Sequence, residues 1–235
     1  MQSDSRFYST SGNRFIILNC PFRKFGESEQ QRLVQMLIEH EQDSGLLIEH
    51  AQEELWNMRV IEKDGSESSF CGNGAVAVSK YLYDILRTER ALLRNPVGTC
   101  NLRYFPETNS GSLQINASHV LCEEGVYRVL GEPHVILERP TEEIHEYAGR
   151  FRDVNVSCIE RFDLNDGKNR YRIRTYERGV NAVTRSCGSA CFSAFFHLRK
   201  KDPNLLSAEF HCPGGINSLK ARRAVYEMSA VVATK

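Results

Sequence analysis

The chain has 235 residues, with 30 Lys plus Arg against 30 Asp plus Glu and a pI near 7.0. This balance excludes a global basic field for nucleic acid, and no apolar run approaches the ~18 residues that would span a bilayer. The opening Met1-Gln2-Ser3-Asp4-Ser5-Arg6 lacks the apolar stretch of a secretory signal, so a soluble, cytoplasmic protein is expected. Residues 6–20 are read as one strand centred on Phe15-Ile16-Ile17-Leu18, with a turn-like Ser11-Gly12-Asn13 that brings Asn13 toward a site. Leu33, Val34, Met36, Leu37 and Ile38 predict an amphipathic helix over 28–40. Asp43-Ser44-Gly45 breaks it, and Leu46-Leu47-Ile48 and Leu55–Glu62 read as strands, the second followed by a turn at Lys63-Asp64-Gly65-Ser66. A buried helix is predicted from Cys71 to about Arg87, followed by short strands between 91 and 130. In the second half, His134–Leu137, a segment starting at Asn155-Val156, and Arg170–Tyr176 read as strands. A helix from Cys187 to about Lys200, a turn at Pro213-Gly214-Gly215 and a closing strand at Ala224–Val232 complete the order. Many short strands with one long helix per half predict an α+β fold with mainly antiparallel sheet.

Two stretches echo each other. Cys71-Gly72-Asn73-Gly74-Ala75 and Cys187-Gly188-Ser189-Ala190-Cys191 both run Cys, Gly, small polar, small, then apolar, and they lie close to half a chain length apart. The echo predicts two structurally similar halves, each with a cysteine where a loop enters a helix. The first N–H groups of a helix have no partner inside it; such an end attracts anions and lowers the pKa of a cysteine placed there. Two such ends facing each other would hold one carboxylate between two thiols. The other cysteines, Cys20, Cys100, Cys122, Cys158 and Cys212, are expected to be small buried hydrophobes. No Cys-x-x-Cys pair exists, Cys187-x-x-x-Cys191 alone is weak evidence for metal, and no metal or organic cofactor is expected.

The motifs, taken together, resemble the diaminopimelate epimerase family of pyridoxal-phosphate-independent amino-acid racemases and epimerases. The resemblance rests on Gly12-Asn13, Asp43-Ser44-Gly45-Leu46-Leu47, and Asp64-Gly65-Ser66-Glu67 leading into Cys71-Gly72-Asn73-Gly74. It continues at Pro133-His134, Asn155-Val156, Glu177-Arg178-Gly179-Val180, Thr184-Arg185-Ser186-Cys187-Gly188-Ser189 and Pro213-Gly214-Gly215. It implies two pseudo-symmetric halves, each an antiparallel barrel-like sheet around a central helix. The halves are expected at 1–115, joined by a C-terminal strand at 218–235, and at 116–217. It implies that Cys71 and Cys187 act as thiolate base and thiol acid on opposite faces of the α-carbon, because inversion needs both at once. It further implies that His134 assists one cysteine, and that Gly72, Asn73, Gly188 and Ser189 hold the substrate α-carboxylate. Asn13, Asn155, Glu177 and Arg178 are then expected to contact the substrate, and homodimerisation is a family expectation.

The departures from the family pattern concern specificity. Glu62 and Glu132 stand where the family has asparagines, Val183 where it has an acidic residue, Ala190 where it has glycine, and Val76 where it has arginine. Two glutamates in the distal pocket would repel a distal carboxylate, and with Glu177 they would favour a cationic side chain. The expected activity is racemisation of a basic amino acid such as histidine, arginine, lysine or ornithine. The alternatives are epimerisation of diaminopimelate itself and a non-catalytic binding protein, or an isomerase of another substrate class, on the same fold.

Overall fold

The computed structural model describes residues 5–151, 153–178 and 180–234, so Gly179 of the Glu-Arg-Gly motif lies outside the described residues. The chain divides into two compact units, Met1–Leu113 with Val231–Lys235, and Gln114–Ala230.

The first unit opens with β1 (Arg6–Thr10) and β2 (Asn13–Asn19). These are two antiparallel strands, not the single strand expected over 6–20. Ser11 at φ 49° and Gly12 at φ 86° take left-handed conformations, which is the geometry of a tight hairpin turn. Then follow α1 (Glu27–Glu39), β3 (Ser44–Gln52), β4 (Leu55–Glu62) and the two-residue β5 (Glu67–Ser68). The unit continues with α2 (Gly72–Leu86), β6 (Arg90–Asn95), β7 (Gly98–Phe105) and β8 (Ser110–Asn116), inside which the chain passes to the second unit. β2 reads Phe-Ile-Ile-Leu without alternation because both of its faces are covered. On one face Ile16 and Leu18 join Leu47, Ile61 and the α1 residues Leu33 and Leu37 in one core. The other set, Phe15, Ile17 and Leu46, is likewise fully buried. There α2 lies against β1, β2, β6 and β7, presenting Ala75, Val76, Ala77, Val78, Tyr81 and Leu82 as a buried surface. Contact with strands from both ends of the unit means that the sheet curves around α2. Gly111 of β8 lies so close to α2 that a Cβ there would meet Val76 O at 2.7 Å and Ser79 Oγ at 2.3 Å.

The second unit repeats the plan. It contains β9 (Val120–Glu123), β10 (Val126–Val129), β11 (Glu132–Glu138), the short α3 (Ile144–Ala148), β12 (Asn155–Phe162), β13 (Arg170–Glu177) and β14 (Ala182–Val183). It ends with α4 (Gly188–Lys201), β15 (Ser207–Cys212), β16 (Gly215–Arg222) and β17 (Val225–Thr234). α4 packs on β10, β11, β12 and β16. α3 covers the outer face, where Ile144 meets Val156 and Cys158, and Val183 packs onto the same cluster. Thus α3 takes the place of α1 with five residues, too few to carry a readable helical period. Val231–Lys235 joins the first unit, because Thr10, Ser9 and Tyr8 pair with Val232, Ala233 and Thr234, while residues 225–229 of β17 pair with residues 218–222 of β16.

The pairing scheme of one unit also maps onto the other. In the first, β2–β3 is parallel, β3–β4 antiparallel, β4–β6 parallel and β6–β7 antiparallel. In the second, β11–β12 is parallel, β12–β13 antiparallel, β13–β15 parallel and β15–β16 antiparallel. The fold is α+β with two like halves, and the strand pairing within each is mixed, because a helix returns the chain to the starting end before each parallel partner.

Candidate active site, as two half-sites

Each cysteine of the echoed motif stands at the N-cap position of a helix, with nearly the same backbone, although the Cys71 side chain makes a capping hydrogen bond and that of Cys187 does not. Cys71 precedes α2 at φ −134°, ψ 107°, and Cys187 precedes α4 at φ −131°, ψ 111°. Extended backbone at this position turns the side chain back over the first helical N–H groups. Cys71 Sγ accepts from Gly74 N at 3.3 Å. The first helical positions are Gly72 and Asn73 in one unit and Gly188 and Ser189 in the other, all four buried.

In the first unit, Glu62 ends β4 directly opposite Ser44 at the start of β3. Its carboxylate accepts from Ser44 Oγ at 2.8 Å and Ser68 Oγ at 2.7 Å. Burial raises its pKa, against the pull of the two hydroxyls. Asn13 opens β2 two residues before Phe15, which pairs with Ser44, so it lies at the strand end shared with Ser44 and Glu62.

The second unit places seven expected residues together. His134 on β11 pairs in register with Asn155, and Val156 with Tyr176, which puts Asn155 beside Glu177. Asn155 Oδ1 accepts from Arg178 N at 3.0 Å. Arg178 Nη2 lies 3.8 Å from Glu132 Oε2. Glu177 Oε1 accepts from Thr184 Oγ1 at 2.5 Å. His134 Nε2 is 2.9 Å from Ser189 Oγ, which in turn is 3.3 Å from Cys187 Sγ. His134 is fully buried, and burial with the nearby Arg178 cation lowers its pKa to about 3, so the imidazole is neutral.

Cys187 departs from the expectation of an acidified thiol. Burial and the Glu177 carboxylate push its pKa well above the usual thiol value, outweighing the downward pull of Ser189 and the Ala190 N–H. The helix end is present, but the local motif carries no sign of the carboxylate folded against it. Ser189 as the link between His134 and Cys187 was also outside the reach of the sequence, since it joins residues 55 positions apart. Of the five cysteines expected to be buried, Cys20, Cys100 and Cys158 are, whereas Cys122 and Cys212 are partly exposed near strand ends. All eight cysteines are free thiols. The sites of substitution also find places: Val183 fills the α3 cluster, and Ala190 is fully buried.

Among the described residues, no group of three His, Cys, Asp or Glu side chains is arranged to hold a metal ion, and no helix is long and apolar enough to cross a membrane.

No family model matches the chain. It is 27% identical over 222 residues to the diaminopimelate epimerase of Thermotoga maritima, covering 91% of this chain and 92% of that protein. Among solved structures it is similar to a predicted epimerase from Pseudomonas aeruginosa, with a TM-score of 0.73 at 12% identity over 98% of this chain and 97% of the other. It is also similar to a phenazine-biosynthesis PhzC/PhzF-type protein from Clostridium difficile, with a TM-score of 0.72 at 12% identity over 98% and 96%. With the paired motifs and two like units in place, these likenesses to diaminopimelate epimerases support an isomerase of the amino-acid racemase and epimerase type.

Proposed function

We propose that the protein inverts an amino-acid α-carbon without cofactor, with Cys71 and Cys187 as the two proton-transfer groups. The observation that carries this reading is the repeated cysteine at a helix N-cap position, with near-identical backbone angles and a small, buried first turn behind each. A thiolate on one face removes the α-proton while a thiol on the other delivers one, and the roles exchange in reverse. The N–H groups of Gly72 and Asn73, and of Gly188 and Ser189, are unclaimed by their own helices and suit the substrate carboxylate, whose charge grows as the α-carbon is deprotonated. Burial and the Glu177 carboxylate raise the Cys187 pKa, which favours its thiol form. His134, held neutral, positions Ser189 against Cys187.

For the substrate, the cluster of Glu132, Glu177 and Arg178 supports a basic amino acid. Arg178 is already drawn to Glu132, and the neighbouring Glu177 adds a second carboxylate to the same half-site. That leaves less cation for a distal carboxylate and favours a cationic side chain. Diaminopimelate itself is the second reading, favoured by the activity named for the Thermotoga relative. Chiral chromatography of reduced protein incubated with each L-amino acid and with LL-diaminopimelate separates them. Conversion of histidine, arginine, lysine or ornithine is expected; conversion of diaminopimelate alone would replace the first reading with the second.

A further inference from the structure

Next to Cys187, the second unit holds two more thiols in contact. Cys191 Sγ, one turn into α4, lies 3.8 Å from Cys212 Sγ at the end of β15. Asn217, fully buried on β16, directs its amide at both, 3.5 Å from Cys191 Sγ and 3.8 Å from Cys212 Sγ, and donates to Ser186 Oγ at 3.0 Å. Cys191 is fully buried, whereas Cys212 is partly exposed. The turn after Cys212 is tied to the loop before Cys187, through Gly214 N donating to Arg185 O at 2.8 Å.

We infer that Cys212 and Cys191 form a reversible oxidation site for hydroperoxides, with Cys212 as the attacking thiolate and Cys191 as the resolving thiol. The two residues are asymmetric in the way this needs. The Cys191 thiol, the Ser186 hydroxyl, the Cys187 N–H and the Asn217 amide all stabilise charge on Cys212, whose pKa is lowered, while that of Cys191 is raised. A thiolate with solvent access is the form that reacts with peroxide. The Cys212 thiolate attacks one peroxide oxygen; an S–O bond forms, the O–O bond breaks, and the departing oxygen leaves as water after taking a proton from solvent. Cys191 sulfur then attacks the sulfenic sulfur. An S–S bond forms, the S–O bond breaks, and the leaving hydroxide takes the Cys191 proton as a second water. Two thiols lose two electrons to the peroxide. Bonding requires the sulfurs to close from 3.8 Å to the ~2.05 Å of a disulfide, a side-chain adjustment at the end of a strand. The site stands whether or not Cys187 acts as a catalytic acid.

The test uses the full chain carrying Cys71→Ala and Cys187→Ala, which removes those two thiols as competing partners. Stoichiometric hydrogen peroxide is added, free thiols are alkylated in denaturant, and peptides are mapped without reduction. A Cys191–Cys212 crosslinked peptide that dithiothreitol dissolves, absent after the further change Cys212→Ser, is expected. The same crosslink is expected in the unsubstituted protein, where fragment spectra separate Cys191 from Cys187. Cys212 recovered as a lone sulfenic or sulfinic acid with Cys191 fully alkylated, or both thiols untouched while other cysteines oxidise, would overturn the proposal.

Discussion

The two cysteine-headed helices share a backbone and differ in what surrounds the sulfur. At α2 a backbone donor and a glycine border the sulfur. Cys71 Sγ takes the Gly74 N–H, and Gly74 has no Cβ because one would lie 3.0 Å from Leu46 Cδ2 and 3.2 Å from Cys71 Sγ. At α4 the equivalent third position is Ala190, whose methyl is fully buried, and the sulfur is enclosed by Ser189 and Glu177. The parts nevertheless correspond by register: Ser44 lies opposite Glu62 as Asn155 lies beside Glu177. In both units a hydroxyl three residues before the cysteine donates to that glutamate, from Ser68 to Glu62 and from Thr184 to Glu177. A duplicated frame therefore carries different side chains around each sulfur, and around Cys187 burial and the Glu177 carboxylate outweigh the pull of Ser189 and the Ala190 N–H.

The largest expected effect comes from removing either sulfur. Cys71→Ala and Cys187→Ala should each lower turnover by at least ~10³-fold, since proton transfer at one face is lost in each case. Steady-state rates with folding checked by circular dichroism measure this. One variant retaining near-normal rate would break the two-thiol comparison outright.

His134 sharpens the contrast through pH. Its pKa falls from 6.5 to about 3 on folding, so the unfolded chain takes up the proton first. Its contribution to stability is complete above pH ~6.5 and drains away as pH falls toward 3, at up to about 1.4 kcal/mol per pH unit. Urea midpoints between pH 7.5 and 4.5 should show this slope, and His134→Gln should flatten it; an unchanged slope would mean that His134 is not the group responsible.

Ser189→Ala cuts the link between His134 and Cys187 and leaves a buried ring nitrogen without its partner. A loss of ~1–3 kcal/mol in stability is expected, with a larger fall in kcat than in KM. Ser189→Thr, which keeps the hydroxyl, should restore more of the rate than of the stability. The smallest effect is expected at Gly74→Ala, where gained helix propensity and crowding against Leu46 oppose each other, for a net cost of about 1 kcal/mol. Iodoacetamide labelling of Cys71 should slow in this variant, because the new methyl crowds the sulfur.

These contrasts also mark what could be read in advance. The helices at Cys71 and Cys187 were legible because a capping residue, small first-turn residues and an apolar run all point the same way. Doubling was legible because the motif recurs. The β1–β2 hairpin was missed because its turn is only Ser11-Gly12, set inside what reads as one strand-like segment. α3 is too short to show a period. The parallel pairings depend on which distant segments align, and no local pattern encodes that. Within the site, residue types were legible but their couplings were not: the Glu177 charge on Cys187, Glu132 drawn to Arg178, and Cys191 against Cys212 all join residues that only the folded sheet brings together.

The central claim is that two monoprotic thiols share the reaction across the α-carbon. The most direct measurement is turnover of a single enantiomer in deuterium oxide, stopped early, with isotope content read separately in product and recovered substrate. The account predicts product carrying deuterium at the α-carbon while recovered substrate remains unlabelled, because the hydrogen delivered comes from the second, solvent-exchanged thiol. Deuterium entering recovered substrate as fast as product, or product retaining the original hydrogen, would place one group on both faces and contradict the account.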